Sequence, residues 1–266
     1  MTDTPALPRL AGSLRTAVDD TVTMLWRDLV RTARQPEMLV FAVVMGGFFL
    51  VLFNYVFGGA IGAGAEVDYL QFLVPGVFVI TALQGAQQTS MGFAADLAEG
   101  VTDRFRSLPM SQFAVIAGRT IADATRNLIG LVLVALLAVL MGYRFDSLWG
   151  AVAAIGVTTA VGFAFSWLGA AIAAKVRQPD MVGMLSMFWL FPLMLASTAF
   201  TPADTMPGWL RPLAANQPIS VAAEAVRGLC DGSVDGRHLL VTGAWTAGLL
   251  AVFAPLSTRL YTRETS

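Results

Sequence analysis

The sequence has 266 residues, of which 56% are apolar and only 13% are charged. An average soluble domain has about 25% charged residues, so this chain cannot cover its surface with charge and is predicted to be an integral membrane protein. The formal net charge of −1 argues against nucleic acid as a partner, because nucleic-acid-binding proteins carry a basic surface.

Six charge-free segments are candidates to cross the membrane, which takes about 20 helical residues for about 30 Å of hydrocarbon. They lie at 38–65, 69–95, 127–143, 147–174, 181–203 and 238–258. The third segment is short, so a helix there must also include part of 118–126, despite the charges of Arg119, Asp123 and Arg126. The pattern predicts an all-α integral membrane protein with six transmembrane helices.

The distribution of basic residues predicts the orientation, because the cytoplasmic segments of membrane proteins are enriched in Lys and Arg. If both termini are inside, the inner segments hold 13 of the 17 basic residues and the outer segments hold the other 4. We therefore expect a multi-pass protein of the cytoplasmic membrane, with its N- and C-termini in the cytoplasm.

The segment 13–34 is too polar to cross a membrane, yet its apolar residues recur at helical spacing. These residues are Leu14, Val18, Val22, Leu25 and Leu29. We predict an N-terminal amphipathic helix in the membrane interface, where Trp26 suits the headgroup layer. The alternative is a helix that packs against a partner protein.

The segment 201–237, between the fifth and sixth predicted spans, combines apolar residues with frequent helix breakers. It contains Pro202, Pro207, Pro212 and Pro218, and its stretch 219–230 is moderately apolar. The segment is too broken to span the membrane and too apolar for a free linker. We predict one or two short re-entrant helices that dip toward the membrane from the outer face.

The sequence lacks the residues of a nucleotide site. A phosphate-binding P-loop needs a lysine after a glycine-rich turn, and the single lysine, Lys175, follows Ala174 with no glycine just before it. The motifs H-E-x-x-H, C-x-x-C and G-x-S-x-G do not occur in the sequence either. We therefore expect no catalytic residue, metal or cofactor on this chain; if the protein uses ATP and Mg²⁺, a partner subunit binds them.

Polar side chains at membrane depth are costly there and often mark a transport path. The candidates are Asn54, Gln84, Gln87 and Gln88. Flexible methionines suit promiscuous apolar surfaces, which adds Met184 and Met187. The alternative for the amides is helix–helix hydrogen bonding, and for the methionines ordinary packing.

The charged residues at the start of the third helix are interpreted as a self-neutralised cluster. Arg119 and Arg126 lie four residues before and three residues after Asp123, so both can reach its carboxylate on one helix face. This spacing predicts a cluster at the cytoplasmic end of the helix.

Two stretches are more specific than a generic membrane pattern. Residues 96–129 contain Glu99 and Gly100, then R-F-R-S-L-P at 104–109, then Gly118, Arg119 and Asp123. Residues 197–229 contain Pro207, Trp209 and Leu210, then N-Q-P-I at 216–219, then Arg227. Together they resemble the signature stretches of ABC-2 type exporter permeases, in particular the daunorubicin/doxorubicin-resistance membrane-subunit branch.

The resemblance implies a single transmembrane domain over 1–266 that dimerises with a second copy or a homologous permease and docks two copies of an ABC ATPase. The segment 96–112, here called the coupling loop, would contact the ATPase through Glu99, Gly100, Arg104, Arg106, Leu108 and Pro109. The segment 201–237, here called the gate segment, would form an extracellular gate with Pro207, Trp209, Asn216, Pro218 and Arg227. ATP bound by the partner would then drive alternating access and export of a hydrophobic drug, secondary metabolite or lipid.

Two other functions stay open at this point. The glutamines of the second helix and Asp123 are also compatible with a membrane-embedded enzyme that modifies lipid, although no reactive constellation accompanies them. A proton-coupled secondary transporter is the second alternative, but such proteins carry carboxylates or histidine deep in their helices, whereas Asp123 lies near a helix end.

Overall fold

The computed structural model describes residues 44–56, 69–99 and 112–263, and within these ranges all side chains except those of 112–119, 204 and 261–263. The predicted interfacial helix at 13–34 lies outside the described residues. So does most of the coupling loop, including Gly100, Arg104, Arg106, Leu108 and Pro109.

The described residues are almost entirely helical and contain no β-strand. In chain order the helices are α1 Val44–Val56, α2 Tyr69–Ala98, α3 Gln112–Leu140, α4 Leu148–Val176, α5 Pro179–Leu195, a 3₁₀ turn at Ala203–Thr205, α6 Arg211–Asn216, α7 Pro218–Cys230 and α8 Gly236–Arg263. The prediction of an all-α fold is confirmed.

Four helices are long and apolar enough to cross a membrane: Tyr69–Ala98, Thr120–Leu140, Leu148–Val176 and Gly236–Leu260. The described part of α1 and the whole of α5 are apolar but shorter. With 17 residues, α5 is about 26 Å long at the helical rise, slightly less than the hydrocarbon thickness. These helices support the prediction of a multi-pass membrane protein, and the number of six membrane spans stays a prediction.

The boundaries of α3 and α5 bear on two predictions made from the sequence. Helix α3 continues back through Asp123 and Arg126, as predicted for the short third segment. Helix α5 ends at Leu195, eight residues before its charge-free segment ends. The Ser197 hydroxyl donates to the carbonyl of Met194 at 2.6 Å and accepts from the Ala199 amide at 3.2 Å, so it caps the helix where the apolar run continues.

Helix α2 is the centre of the bundle. Of its most apolar 18 residues 78% are buried, against 6% for α8, and α2 packs against α3, α4, α5 and α7. Small residues allow close packing with α4, since a Cβ on Gly162 would lie 3.1 Å from Ala82. Many large apolar side chains are exposed on the outer helices, which suits contact with lipid, among them Leu136, Leu140, Trp149, Val152, Leu240 and Val252.

Candidate gate and transport path

One end of the bundle brings together four segments that are far apart in sequence. The Tyr69 hydroxyl at the start of α2 donates to the carbonyl of Phe200 at 3.0 Å. The Asp146 amide in the α3–α4 turn donates to the carbonyl of Cys230 at 2.9 Å, at the end of α7. The Thr198 amide donates to the Ser220 hydroxyl at 2.9 Å. We call this region the α7 end of the bundle.

Helix α7 starts at Pro218, whose missing N–H costs nothing in the first turn. Its apolar residues Ile219, Ala222, Ala223 and Val226 are fully buried, and the helix packs against α2, α4 and α8. The gate segment therefore contains short helices, as predicted, and α7 is part of the helix bundle. That these helices re-enter the membrane stays a prediction.

Arg227 joins three of the segments at the α7 end. Its Nη2 donates to the carbonyls of Phe72 at 3.1 Å and Thr198 at 3.3 Å, and its Nε donates to Phe72 at 3.3 Å. The guanidinium carbon lies 3.9 Å from the centroid of the Phe72 ring, and Nη1 lies 2.7 Å from Oε1 of Glu224. We call this set of four residues the Arg227 clamp, because one planar cation ties α7 to α2 and to the residues after α5.

A stack of phenylalanines joins α1 to the same end. The ring of Phe53 lies 4.4 Å from that of Phe200 with an interplanar angle of 10°, and Phe49 lies 5.9 Å from Phe200 at 22°. Offset stacking of this kind is a favourable aromatic geometry. An aromatic contact therefore holds α1 to the α7 end.

The α3–α4 turn adds a buried phenol to this end, beside a buried thiol at the end of α7. Tyr143 is 2% exposed and Cys230 is fully buried. Burial raises the pKa of the Tyr143 phenol, and so do the nearby Cys230 and Asp231. Burial also raises the pKa of the Cys230 thiol, to about 11, so both groups are neutral near pH 7 and suit an apolar closure.

Asp231 follows α7 directly, and burial raises the pKa of its carboxyl. The Arg227 guanidinium opposes this shift and Asp146 adds to it. The next residue, Gly232, has a φ of +72°, and a Cβ there would lie 2.5 Å from Oδ2 of Asp146. A glycine is therefore required at this position by both its backbone conformation and its surroundings.

The predicted gate residues do not form a single cluster. Arg227 and Pro218 belong to α7, whereas Pro207, Trp209 and Asn216 precede it and are exposed, Trp209 by 78%. Sequence reasoning did not select Phe72, Thr198 or Tyr143, and no motif marks their roles. Gln217 was visible in the N-Q-P-I motif; it is 7% exposed and donates from Nε2 to the carbonyl of Leu193 at 2.9 Å.

The predicted path residues occupy different environments. Gln87 donates from Nε2 to the carbonyl of Gly183 at 3.2 Å, which links α2 to α5. Gln84 and Asn54 are half-buried and Gln88 is exposed. Met184 and Met187 are 70% and 49% exposed on α5. Gln87 thus takes part in a hydrogen bond between two helices. That these six residues line a transport path stays a prediction.

The opposite end of α2 carries the coupling loop. Glu99, the only one of its predicted contact residues within the described ranges, is exposed directly after α2. In the neighbouring helix α3, Arg126 Nη2 lies 2.7 Å from Oδ1 of Asp123, and both side chains are largely buried. The predicted Asp123–Arg126 pair is therefore present; the side chain of Arg119 lies outside the described part.

Comparison with known proteins places the sequence among transport proteins. Residues 19–230 match the family model described as ABC-2 type transporter. The chain is 38% identical over 247 residues to the daunorubicin resistance ABC transporter permease protein DrrB1 of Streptomyces coeruleorubidus, covering 92% of this chain and 87% of that one. It is 26% identical over 249 residues to the probable doxorubicin resistance ABC transporter permease protein DrrC of Mycobacterium tuberculosis, covering 93% and 90%. A putative transport permease, ycf38 of Cyanophora paradoxa, is 24% identical over 223 residues, covering 79% and 73%.

Proposed function

This chain belongs to the ABC-2 type transporter family and is a permease subunit of an ABC exporter, and we propose that it exports a hydrophobic compound by alternating access. The observation that carries the proposal is the arrangement along α2. This helix of 30 residues, about 45 Å long, connects the start of the coupling loop at one end to the Arg227 clamp at the other. A displacement at the loop can therefore reach the clamp through one continuous element.

The energy source is a separate ABC ATPase, which family membership implies as a partner. We propose that two copies of the ATPase bind ATP and Mg²⁺ and that the coupling loop contacts them through Arg104 and Arg106. We further propose a second permease, either an identical or a homologous chain, to complete the transporter. Bound ATP shifts the conformational equilibrium only by its different affinities for the two states.

The names of the relatives and the surface of α5 support the proposed substrate class. The curated relatives are named for resistance to daunorubicin or doxorubicin. In this chain α5 exposes Met184, Met187 and Phe188. All three are apolar, and the flexible methionines suit a surface that accepts varied hydrophobic ligands. We propose a hydrophobic drug, a secondary metabolite or a lipid as the exported molecule, with Asn54 and the α2 glutamines along its path.

In this proposal the protein lies in the cytoplasmic membrane with both termini in the cytoplasm. The coupling loop then faces the ATPase, and the α7 end faces outward as the gate. The 13-to-4 distribution of basic residues supports this orientation.

The test combines purification with transport. The full chain is co-expressed with its candidate ATPase, and uptake of a fluorescent anthracycline into inverted membrane vesicles is measured with and without ATP. We expect the ATPase to co-purify, and we expect Arg104→Glu/Arg106→Glu to abolish ATP-driven uptake. Lys175→Glu, a charge reversal outside the coupling loop, serves as the matched control and should retain it.

Three outcomes would contradict the proposal. The first is purification without any ABC ATPase together with normal transport by the double variant. The second is uptake that follows a proton gradient and ignores ATP depletion, which would indicate a secondary transporter. The third is conversion of a lipid by the purified chain alone, which would indicate an enzyme.

A further inference from the structure

A small, partly open cavity lies where α2, α4 and α5 meet. The volume open to the centre of a water-sized sphere is about 10 Å³. Most of its wall is apolar, but Gln87, Ser90, Ser186 and Trp189 also line it. A cavity needs about 10–15 Å³ by this measure to hold one water molecule, so the space matches a single water and is too small for a larger ligand.

The indole N–H of Trp189 is the group that requires an explanation. Its Nε1 is buried and has no hydrogen-bond partner among the described residues. The ring itself is fixed, since it stacks on Phe165 with centroids 5.9 Å apart and an interplanar angle of 13°. Buried donors are nearly always satisfied by protein or by ordered water, and Trp189 lines a cavity of water size.

The other polar groups around the cavity supply acceptors. The Ser90 hydroxyl donates to the carbonyl of Ala86 at 2.8 Å, which leaves the lone pairs of its oxygen to accept. Gln87 donates from Nε2 to the carbonyl of Gly183, which leaves its amide oxygen as an acceptor. The Ser186 hydroxyl, on a side chain 2% exposed, can donate or accept. A buried water typically makes about three hydrogen bonds, and it can donate only two of them. This set provides the indole N–H as a donor, the oxygens of Gln87 and Ser90 as acceptors, and a Ser186 hydroxyl that can take either role.

We propose that this cavity is a binding site for one ordered water molecule, which accepts from the Trp189 indole N–H and donates to the oxygens of Gln87 and Ser90, with the Ser186 hydroxyl as a fourth partner. The water bridges α5 to α2 in the interior of the bundle. It is a different kind of link from the direct bond between Gln87 and Gly183, because a water molecule can exchange partners. Helix α5 can thus shift slightly against α2 without leaving the indole N–H unpaired.

The site also lies close to a weak point of α5. Pro192, which α5 contains, has no N–H to donate to the carbonyl of Phe188, and a proline inside a helix is a frequent place of bending. Trp189 is the residue directly after Phe188. The bridging water therefore supports α5 immediately before the point where its own hydrogen bonding is interrupted.

The experiment is water-edited solid-state NMR on the full chain in lipid bilayers, with ¹⁵N at the indole nitrogens of its six tryptophans. Trp189→Phe assigns the Trp189 signal and keeps an aromatic ring against Phe165. We expect magnetisation from water to reach the Trp189 indole N–H, although the nitrogen is buried. An indole signal that receives no transfer from water would show that the cavity is dry and would overturn the proposal.

Ser186→Val tests the site itself, since valine removes the hydroxyl and fills the space. We expect the water transfer to Trp189 to fall at least several-fold in this variant. Ser166→Val, a change of another buried serine that does not line the cavity, is the matched control and should leave the transfer intact. Undiminished transfer in a folded Ser186→Val protein would refute the assignment, because the water would then lie elsewhere.

Discussion

The Arg227 clamp offers the most direct test of how the α7 end is held together. Arg227→Met removes the guanidinium but keeps a long apolar side chain against the Phe72 ring. Arg227→Lys keeps the positive charge near Glu224 but cannot present several N–H groups in one plane. Neither replacement can serve the carbonyls of Phe72 and Thr198 in the way that the native side chain does.

The magnitude follows from the contacts. Each of the two carbonyls loses a hydrogen bond from a charged donor, worth about 1.5–3 kcal/mol, and the cation–π contact adds about 0.5–2 kcal/mol. The Glu224 pair contributes little more, since its carboxylate is 34% exposed. Contacts that share one side chain are not additive, so we expect about 3 kcal/mol for Arg227→Met and a smaller loss for Arg227→Lys.

The assay is thermal unfolding of the purified permease in lipid nanodiscs. A loss of about 3 kcal/mol corresponds to a decrease in Tm of about 6–12 °C for chains of about 150–250 residues, the size range nearest to this chain of 266 residues. Arg237→Met is the matched control, because it removes an exposed arginine near the same end of the bundle. If Arg227→Met unfolds at the same temperature as Arg237→Met, the clamp does not stabilise the fold and the reasoning is wrong.

Three further predictions concern other contacts. Asp123→Asn should destabilise the protein by about 3 kcal/mol, because it leaves the charge of Arg126 poorly paired. The double variant Asp123→Asn/Arg126→Gln should recover part of the lost Tm, and equal Tm values for the single and double variants would contradict this prediction. Gly85→Ala should lower the Tm, because the new Cβ would lie 2.3 Å from Oδ1 of Asn127. Adding Asn127→Ala to the same chain should relieve this clash, and an unchanged Tm in Gly85→Ala would refute the prediction. The pKa of the Cys230 thiol is raised from 9.0 to about 11 in the folded state. The thiol's contribution to stability should therefore be complete below pH 9 and lost as the pH rises from 9 to 11, which a fall in Tm would show. If a Cys230→Ala protein loses as much Tm over that interval, the thiol is not the source of the loss.

The spans are the part of the fold that sequence predicts well. Hydrophobic length and the positions of charges are local properties, and the need to bond every backbone group inside lipid restricts such segments to helices. This is why α2, α4 and α8 lie on their charge-free segments and why α3 extends through Asp123. Hydrophobic length could not predict where α5 ends, because the hydrogen bonds of Ser197 stop the helix within a run that remains apolar.

The candidate sites depend more strongly on tertiary structure. The sequence marks Arg227 as a cation within an apolar stretch, but its partners are the backbone carbonyls of Phe72 and Thr198, 155 and 29 residues away. Backbone carbonyls have no sequence signature, so no motif can predict which one an arginine will reach. For Gln87, likewise, the sequence predicts an exceptional polar group, and only the packing of α5 shows that Gly183 receives its hydrogen bond.

The sequence by itself therefore determined that this is a helical membrane protein, where most of its spans lie, and that its single lysine does not stand in a P-loop. These conclusions follow from composition and from residues adjacent in the chain. The tertiary structure decided how the chain closes at the α7 end and where a water-sized cavity lies against Trp189. Such features arise because helices that are distant in sequence pack side by side, and the contacts between them depend on rotation and depth, which hydrophobic periodicity alone does not encode.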